Sequence, residues 1–251
     1  MTANSEEARV GRKIIGIMGG MGPDATVDLY NKIIAETRRR GAVGDQDHLE
    51  VVISSVPQTP DRTEAIFGKA PSPVPELVRS ARRLEAAGAG FIAVACNSAH
   101  YFYSEISSSV TIPVLHMIRL TAAHIAGNYP NAGIAGILAT DGTLKTRLYH
   151  EALEKEGIEP LAPDPLSQEA VMDAIYGEGG IKMESPSQRA TAGLVLAADV
   201  LIERGAAVII AGCTEIPLAL RHAELAVPVI DSTAVLAGAA VTAALGSEGE
   251  L

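Results

Sequence analysis

The chain has 251 residues, 47% of them apolar and 20% charged, which supports a large core and excludes a disordered or low-complexity protein. With 30 acidic against 20 basic residues the net charge is −10, and no basic block follows the short run Arg38, Arg39, Arg40. Nucleic acid is thereby excluded as a partner class. Residues 1–13 are polar and lack a signal-peptide core, and the apolar stretch 234–245 falls short of the roughly 20 residues that cross a bilayer. A soluble cytoplasmic protein with no membrane partner is expected, and its two cysteines, Cys96 and Cys213, read as free thiols.

In chain order, short apolar runs at residues 14–18, 51–56, 91–95, 113–117, 133–138, 208–211 and 228–230 predict strands. Amphipathic patterns at 24–40, 74–87, 143–155 and 190–203 predict helices between them. The triple arginine closes the first of these, where cations suit the helix dipole. Strand, helix and strand repeated in this way give an α/β fold with parallel sheets covered on both faces.

The chain also repeats itself. LEAAGAGFIAVACNSA at 84–99 and IERGAAVIIAGCTEI at 202–216 both run from Gly-Ala through an apolar stretch to a cysteine, and the two cysteines lie 117 residues apart. Gly16 and Gly136 are 120 apart, and Ile112-Pro113 and Val227-Pro228 are 115 apart. Matches near one period imply two similar halves. The expected organisation is a tail over 1–13, a first α/β half over 14–118, a second over 119–231, and a helix over 232–251 that can return to the first.

Ligand chemistry in open parallel sheets belongs at the carboxyl ends of the strands, where Cys96 and Cys213 both fall. Asn97-Ser98 and Thr214-Glu215 follow them and suit the start of a helix, with short polar side chains to cap it. A thiol so placed is expected to have its pKa lowered, and the same N–H groups can hold a carboxylate. Two such thiols facing one carbon acid can remove a proton from one face and return one to the other, which inverts a stereocentre. The plain alternative is two buried, inert cysteines.

IIGIMGGMGPDAT at 14–26, PQTPDRT at 57–63, ACNSAHYFY at 95–103 and AGCTEIPL at 211–218, in this order, resemble the aspartate/glutamate racemase superfamily on its aspartate branch. The resemblance spans about residues 13–245. It implies two pseudo-symmetric, flavodoxin-like halves with the active site between them, a cofactor-independent racemase of L- and D-aspartate, and a homodimer. Cys96 and Cys213 match its catalytic acid/base cysteines, and Arg62 and Lys182 match basic residues that hold the distal carboxylate. Ser98 stands where relatives more often have threonine, which keeps a hydroxyl.

Other residues are less specific. Gly20-x-Gly22-x-x-Ala25, with Met21 as a candidate substrate contact, approximates a dinucleotide fingerprint and supports a runner-up, an NAD-type oxidoreductase. The second strand, however, ends in Ser54-Ser55 without the ribose-binding acid. A dicarboxylic substrate calls for an arginine fork, and Arg62 lies beyond the second strand's carboxyl end; its plain reading is an ion pair with Asp61 or Glu64. Lys182 reads alone as a surface lysine on a glycine-rich loop that could act as a lid. His100, four residues after Cys96, could tune that thiol or simply pack, and His116 reads as a core residue. No metal-ligand spacing is present. A broad-specificity or glutamate racemase, a diacid isomerase and a non-catalytic amino acid sensor remain alternatives.

Overall fold

The structure is a computed structural model that describes residues 11–183 and 186–246. Residues 1–10, 184–185 and 247–251, which belong to the expected tail, loop and terminal helix, lie outside the described residues.

Strands β1 (Ile15–Gly19), β2 (Val51–Ser55), β3 (Phe91–Val94) and β4 (Val114–Leu115) form a parallel sheet in the order β2-β1-β3-β4. Strands β5 (Ile134–Leu138), β6 (Glu159–Leu161), β7 (Val208–Ala211) and β8 (Val229–Asp231) repeat that order as β6-β5-β7-β8. The central strands β1, β3 and β7 are wholly buried, so they read as unbroken apolar runs rather than alternating ones. In each sheet the order reverses between the first and third strands, and a crevice opens at their carboxyl ends.

The helices are α1 (Pro23–Arg39), α2 (Arg62–Ile66), α3 (Val74–Ala86), α4 (Tyr103–Ser107), α5 (Met117–Asn128) and α6 (Asp141–Lys145), then α7 (Leu148–Lys155), α8 (Pro165–Tyr176), α9 (Gln188–Glu203), α10 (Ile216–Leu220) and α11 (Ser232–Leu245). Helix α1 starts with Pro23 in its first turn and buries Ala25, Leu29 and Ile33, which recur on one face. At its far end Glu36 pairs with Arg39 at 2.5 Å and Arg40 at 2.7 Å, so the arginines serve the helix end.

Two helices cross between the halves. Helix α5 follows β4, yet its Ile118, Ala122 and Ile125 pack in the core of the second sheet. Helix α11 follows β8, yet Leu236, Ala237, Ala240 and Val241 pack against Ile15, Leu29 and Ile33 of the first. The Lys13 N–H donates to the Ala244 carbonyl at 2.9 Å and ties the approach to β1 to the last turn of α11. Each half thus covers its sheet partly with a helix supplied by the other.

Some elements depart from the expected pattern. The single helix expected over 143–155 is two, because Arg147 sits between α6 and α7 in the left-handed region at φ 55°. Strand β6 has no apolar run and contains Pro160, which an edge strand tolerates. Helix α8 was hidden by a mixed pattern but is marked by its ends: Asp164 Oδ1 accepts from the Leu166 and Ser167 N–H groups at 3.0 Å, with Pro165 following.

The turn after β1 sets the first crevice. Gly20 has φ +88°, and a Cβ there would lie 2.3 Å from the Val56 backbone nitrogen. Gly88 has a similar φ of +89°, but its Cβ would meet only the Ile14 side chain at 3.8 Å. Gly88→Ala should therefore cost about 1–2 kcal/mol for the backbone conformation alone. Gly20→Ala should cost clearly more, because backbone must also move; urea unfolding of the two variants measures the difference.

Candidate active site

All nine residues expected at the site (Met21, Arg62, Cys96, Asn97, Ser98, Lys182, Cys213, Thr214 and Glu215) line one cavity between the carboxyl ends of the two sheets. The cavity measures about 10 Å³, room for about one water. A larger cavity of about 770 Å³ lies beside β4, between α5 and α11, and contains neither thiol.

Cys96 follows β3 and Cys213 follows β7, so the duplicated topology brings equivalent positions to opposite sides of the cavity. Their local chemistry differs. Cys96 Sγ lies 3.5 Å from Ser98 Oγ and is beside the Arg62 guanidinium. Cys213 donates its thiol proton to Glu215 Oε2 at 3.0 Å, and Thr214 Oγ1 donates to the same oxygen at 3.0 Å. Burial first, then the charge of Glu215, pushes the Cys213 thiol well above the ordinary cysteine value. That is opposite to the lowering expected from a helix N-terminus. The physical reason is local: Cys96 is followed by a 3-10 turn (Ser98–Phe102), Cys213 by the five-residue α10, and no side chain caps either one. A dipole that short is outweighed by desolvation and a neighbouring carboxylate.

Asn97 does not cap its turn. Its Oδ1 accepts from Tyr149 Oη at 2.6 Å and its Nδ2 donates to Ser232 Oγ at 3.2 Å, which fastens the Cys96 turn to α7 and α11. His100 is buried; its Nε2 accepts from the Met117 N–H at 3.1 Å, so Nδ1 carries the proton and donates to the Cys96 carbonyl at 2.8 Å. It fixes the backbone of the cysteine turn rather than the thiol. His116 is half-buried rather than a core residue; it accepts from the Arg119 N–H at 3.4 Å at the start of α5, and burial, with His100 and Arg119 nearby, lowers its pKa to about 3.

Arg62 pairs with neither Asp61 nor Glu64. Its guanidinium is buried and donates to three carbonyls: Met21 at 2.8 Å, Thr59 at 3.2 Å and Pro60 at 3.1 Å. Its Nε is buried with no hydrogen-bond partner among the described residues. Burial opposes the Arg62 charge, but Cys96 and Asp61 more than offset it and the pKa rises. Lys182 is no surface lysine: its Nζ lies 2.5 Å from Glu215 Oε1 and 3.4 Å from the Met21 carbonyl. The glycine turn is packed rather than open to a pyrophosphate, since the Gly20 N–H donates to Thr26 Oγ1 at 2.8 Å and its Cα faces the Val56 backbone.

Thr140, Thr143 and Tyr176 also line the cavity and were not anticipated. The repeat could have found Thr140, which lies beyond β5 at the 120-residue offset from Gly20 that also relates Gly16 to Gly136. Tyr176 closes α8, a helix that the apolar periodicity did not mark. Its Oη donates to Asp61 Oδ2 at 3.2 Å, and Thr63 Oγ1 donates to Thr140 Oγ1 at 3.2 Å, so both close the cavity from across the halves.

Burial works against the Glu215 charge, but Lys182, Cys213 and Thr214 outweigh it and hold the carboxyl below the usual glutamate value. Burial likewise opposes the Lys182 charge, and Glu215 and Cys213 raise its pKa regardless. The Glu215 contribution to stability is full above the unfolded glutamate pKa and fades as pH falls through the lowered folded value. The Lys182 contribution is full below the unfolded lysine pKa and fades as pH rises through the raised one. Lys182→Met strands a buried carboxylate and should cost about 3–5 kcal/mol. The deficit should be greatest between about pH 5 and pH 10, and Lys182→Met with Glu215→Gln should restore most of it, as urea unfolding across pH will read.

The family model for Asp/Glu/Hydantoin racemase matches residues 18–240, and the chain belongs to that family. At that level it is an amino acid racemase, an isomerase. It is 32% identical to the broad specificity amino-acid racemase RacX of Bacillus subtilis (strain 168), over 91% of this chain and 97% of RacX. Among solved structures it is similar to Picrophilus torridus aspartate racemase, with TM-score 0.81 and 31% identity over 95% of this chain and 96% of that one. An aspartate racemase homologue from Pyrococcus horikoshii OT3 has TM-score 0.71 and 27% identity, over 92% and 99% of the two chains.

Proposed function

We propose that the protein interconverts L- and D-aspartate by proton transfer between Cys96 and Cys213, without a cofactor. The observation that carries this reading is one cavity holding both thiols, each from the matching strand end of its half, beside a buried guanidinium with an unpartnered Nε. One thiolate takes the Cα proton, the electron pair passes into the substrate's α-carboxylate as an enediolate, and the opposite thiol delivers its proton to the other face. In this reading, backbone N–H groups at Asn97-Ser98 and Thr214-Glu215 hold the α-carboxylate and stabilise the charge that develops on it. Arg62, with Lys182, is the anchor for the distal carboxylate, and similarity to the Picrophilus torridus aspartate racemase supports that choice. We take the active form to be a cytoplasmic homodimer, as the family resemblance implies.

A second reading, broad specificity, is favoured by the similarity to RacX. Arg62 separates the two. With aspartate as substrate, Arg62→Leu leaves the distal carboxylate unpaired in a buried site, at a cost of about 3–5 kcal/mol. The ratio of aspartate to alanine racemisation should then fall by at least 100-fold, read by chiral chromatography on protein without added pyridoxal phosphate. An unchanged ratio would make Arg62 structural and favour the broad-specificity reading. Loss of all racemisation on dialysis against a chelator would sink the cofactor-free mechanism.

A further inference from the structure

The Glu215 side chain touches a catalytic candidate without needing to touch substrate. Its Oε2 accepts the Cys213 thiol at 3.0 Å and the Thr214 hydroxyl at 3.0 Å, while Oε1 takes Lys182 Nζ at 2.5 Å. No carboxylate stands in the matching position of the first half: Ser98 follows Cys96 at the same spacing, 3.5 Å from its sulfur. The fold therefore duplicates the thiols but not their surroundings. Cys213 faces the Glu215 carboxylate, with Lys182 on that carboxylate's other oxygen, whereas Cys96 faces the Arg62 cation.

We propose that Glu215 is a positioning residue that keeps Cys213 in its thiol form, so that the resting enzyme holds Cys213 as proton donor and Cys96 as base. This rests on the two-thiol reading of the site. Of the groups that face the pair, Lys182 from the loop after α8 pairs with Glu215 and its charge works against the Cys213 thiol, but burial and the Glu215 carboxylate outweigh it; Tyr176 and Tyr149 are both held neutral by burial. In the turnover that starts from this state, Cys96 takes the Cα proton and the Cys213 S–H bond breaks as the new Cα–H bond forms. Glu215 keeps its charge and loses one of its three donors, Thr214 and Lys182 remaining. The new Cys213 thiolate is left against a carboxylate, which makes it the stronger base for the return reaction.

The test is the titration of each thiol in the full-length protein, read as iodoacetamide labelling of the Cys96 and Cys213 peptides by mass spectrometry across pH. Glu215→Gln should move the Cys213 midpoint down by at least one pH unit, about tenfold more thiolate at a given pH, and should move the alkaline limb of the racemisation profile in the same direction. A Cys213 midpoint unchanged from wild type would overturn the proposal. Should Glu215→Gln fail to fold, Cys96→Ser protein answers the question by infrared spectroscopy. Its Cys213 S–H stretch should persist through pH 9, and loss of that band below pH 8 would overturn the proposal. If the thiols titrate as expected but no amino acid is racemised, Glu215 still holds Cys213 in its thiol form, and the donor and base roles fall with the two-thiol reading.

Discussion

A carboxylate that is 4% exposed has to be neutralised where it stands, and the way Glu215 achieves this organises the site. Its two oxygens are taken up by Lys182, Cys213 and Thr214. Lys182 reaches on to the Met21 carbonyl, which also receives Arg62. A buried ion pair from the second half is thereby seated on the glycine turn of the first. The turn can take that shape because Gly20 brings the backbone against Val56 with a positive φ. Break the ion pair and a charge is stranded; fill the turn and the carbonyl that receives both cations shifts. The placement of the cations, and the identity of the thiol that carries the proton, follow from this one network.

Much of the fold was legible in the chain. The central strands are buried on both faces, so they announce themselves as apolar runs, and the 117-residue offset between the cysteines exposed the duplication. Edge strand β6, with Pro160, carries no such signal, and the break at Arg147 is a backbone choice that helical periodicity cannot register. At the site, strand-end position located Cys96 and Cys213. What it could not give was direction. The polar residues after each cysteine suited a cap, but Asn97 turns to Tyr149 and Ser232, and Glu215 turns to Cys213 and Lys182, partners distant in sequence. Reasoning from the helix dipole alone also gave the wrong sign for Cys213, because the following helix is short and the carboxylate is closer than any dipole.

A cavity of about 10 Å³ is smaller than any amino acid, so on the proposed function the mouth has to open to admit substrate. Across the mouth, Tyr176 to Asp61 and Thr63 to Thr140 are single hydrogen bonds worth about 0.5–1.5 kcal/mol each, and Lys182 adds a charged one to the Met21 carbonyl, worth about 1.5–3 kcal/mol. Such contacts permit opening. The crossing helices α5 and α11 set the limit, since each is packed in the other half's core and cannot leave without exposing it. In the proposed reaction, opening at these polar contacts would admit a polar substrate and reclosing would exclude water while the carbanion-like species exists.

The central claim is that the proton removed and the proton delivered belong to different thiols on different halves. Racemisation of L-aspartate in heavy water tests it most directly, with Cα deuterium measured separately in the two enantiomers during the first few per cent of conversion. If Cys96 and Cys213 divide the work, early D-aspartate carries deuterium at Cα while the remaining L-aspartate is still protiated. Early D-aspartate that retains the substrate's protium would mean that one base serves both faces, and would contradict the account.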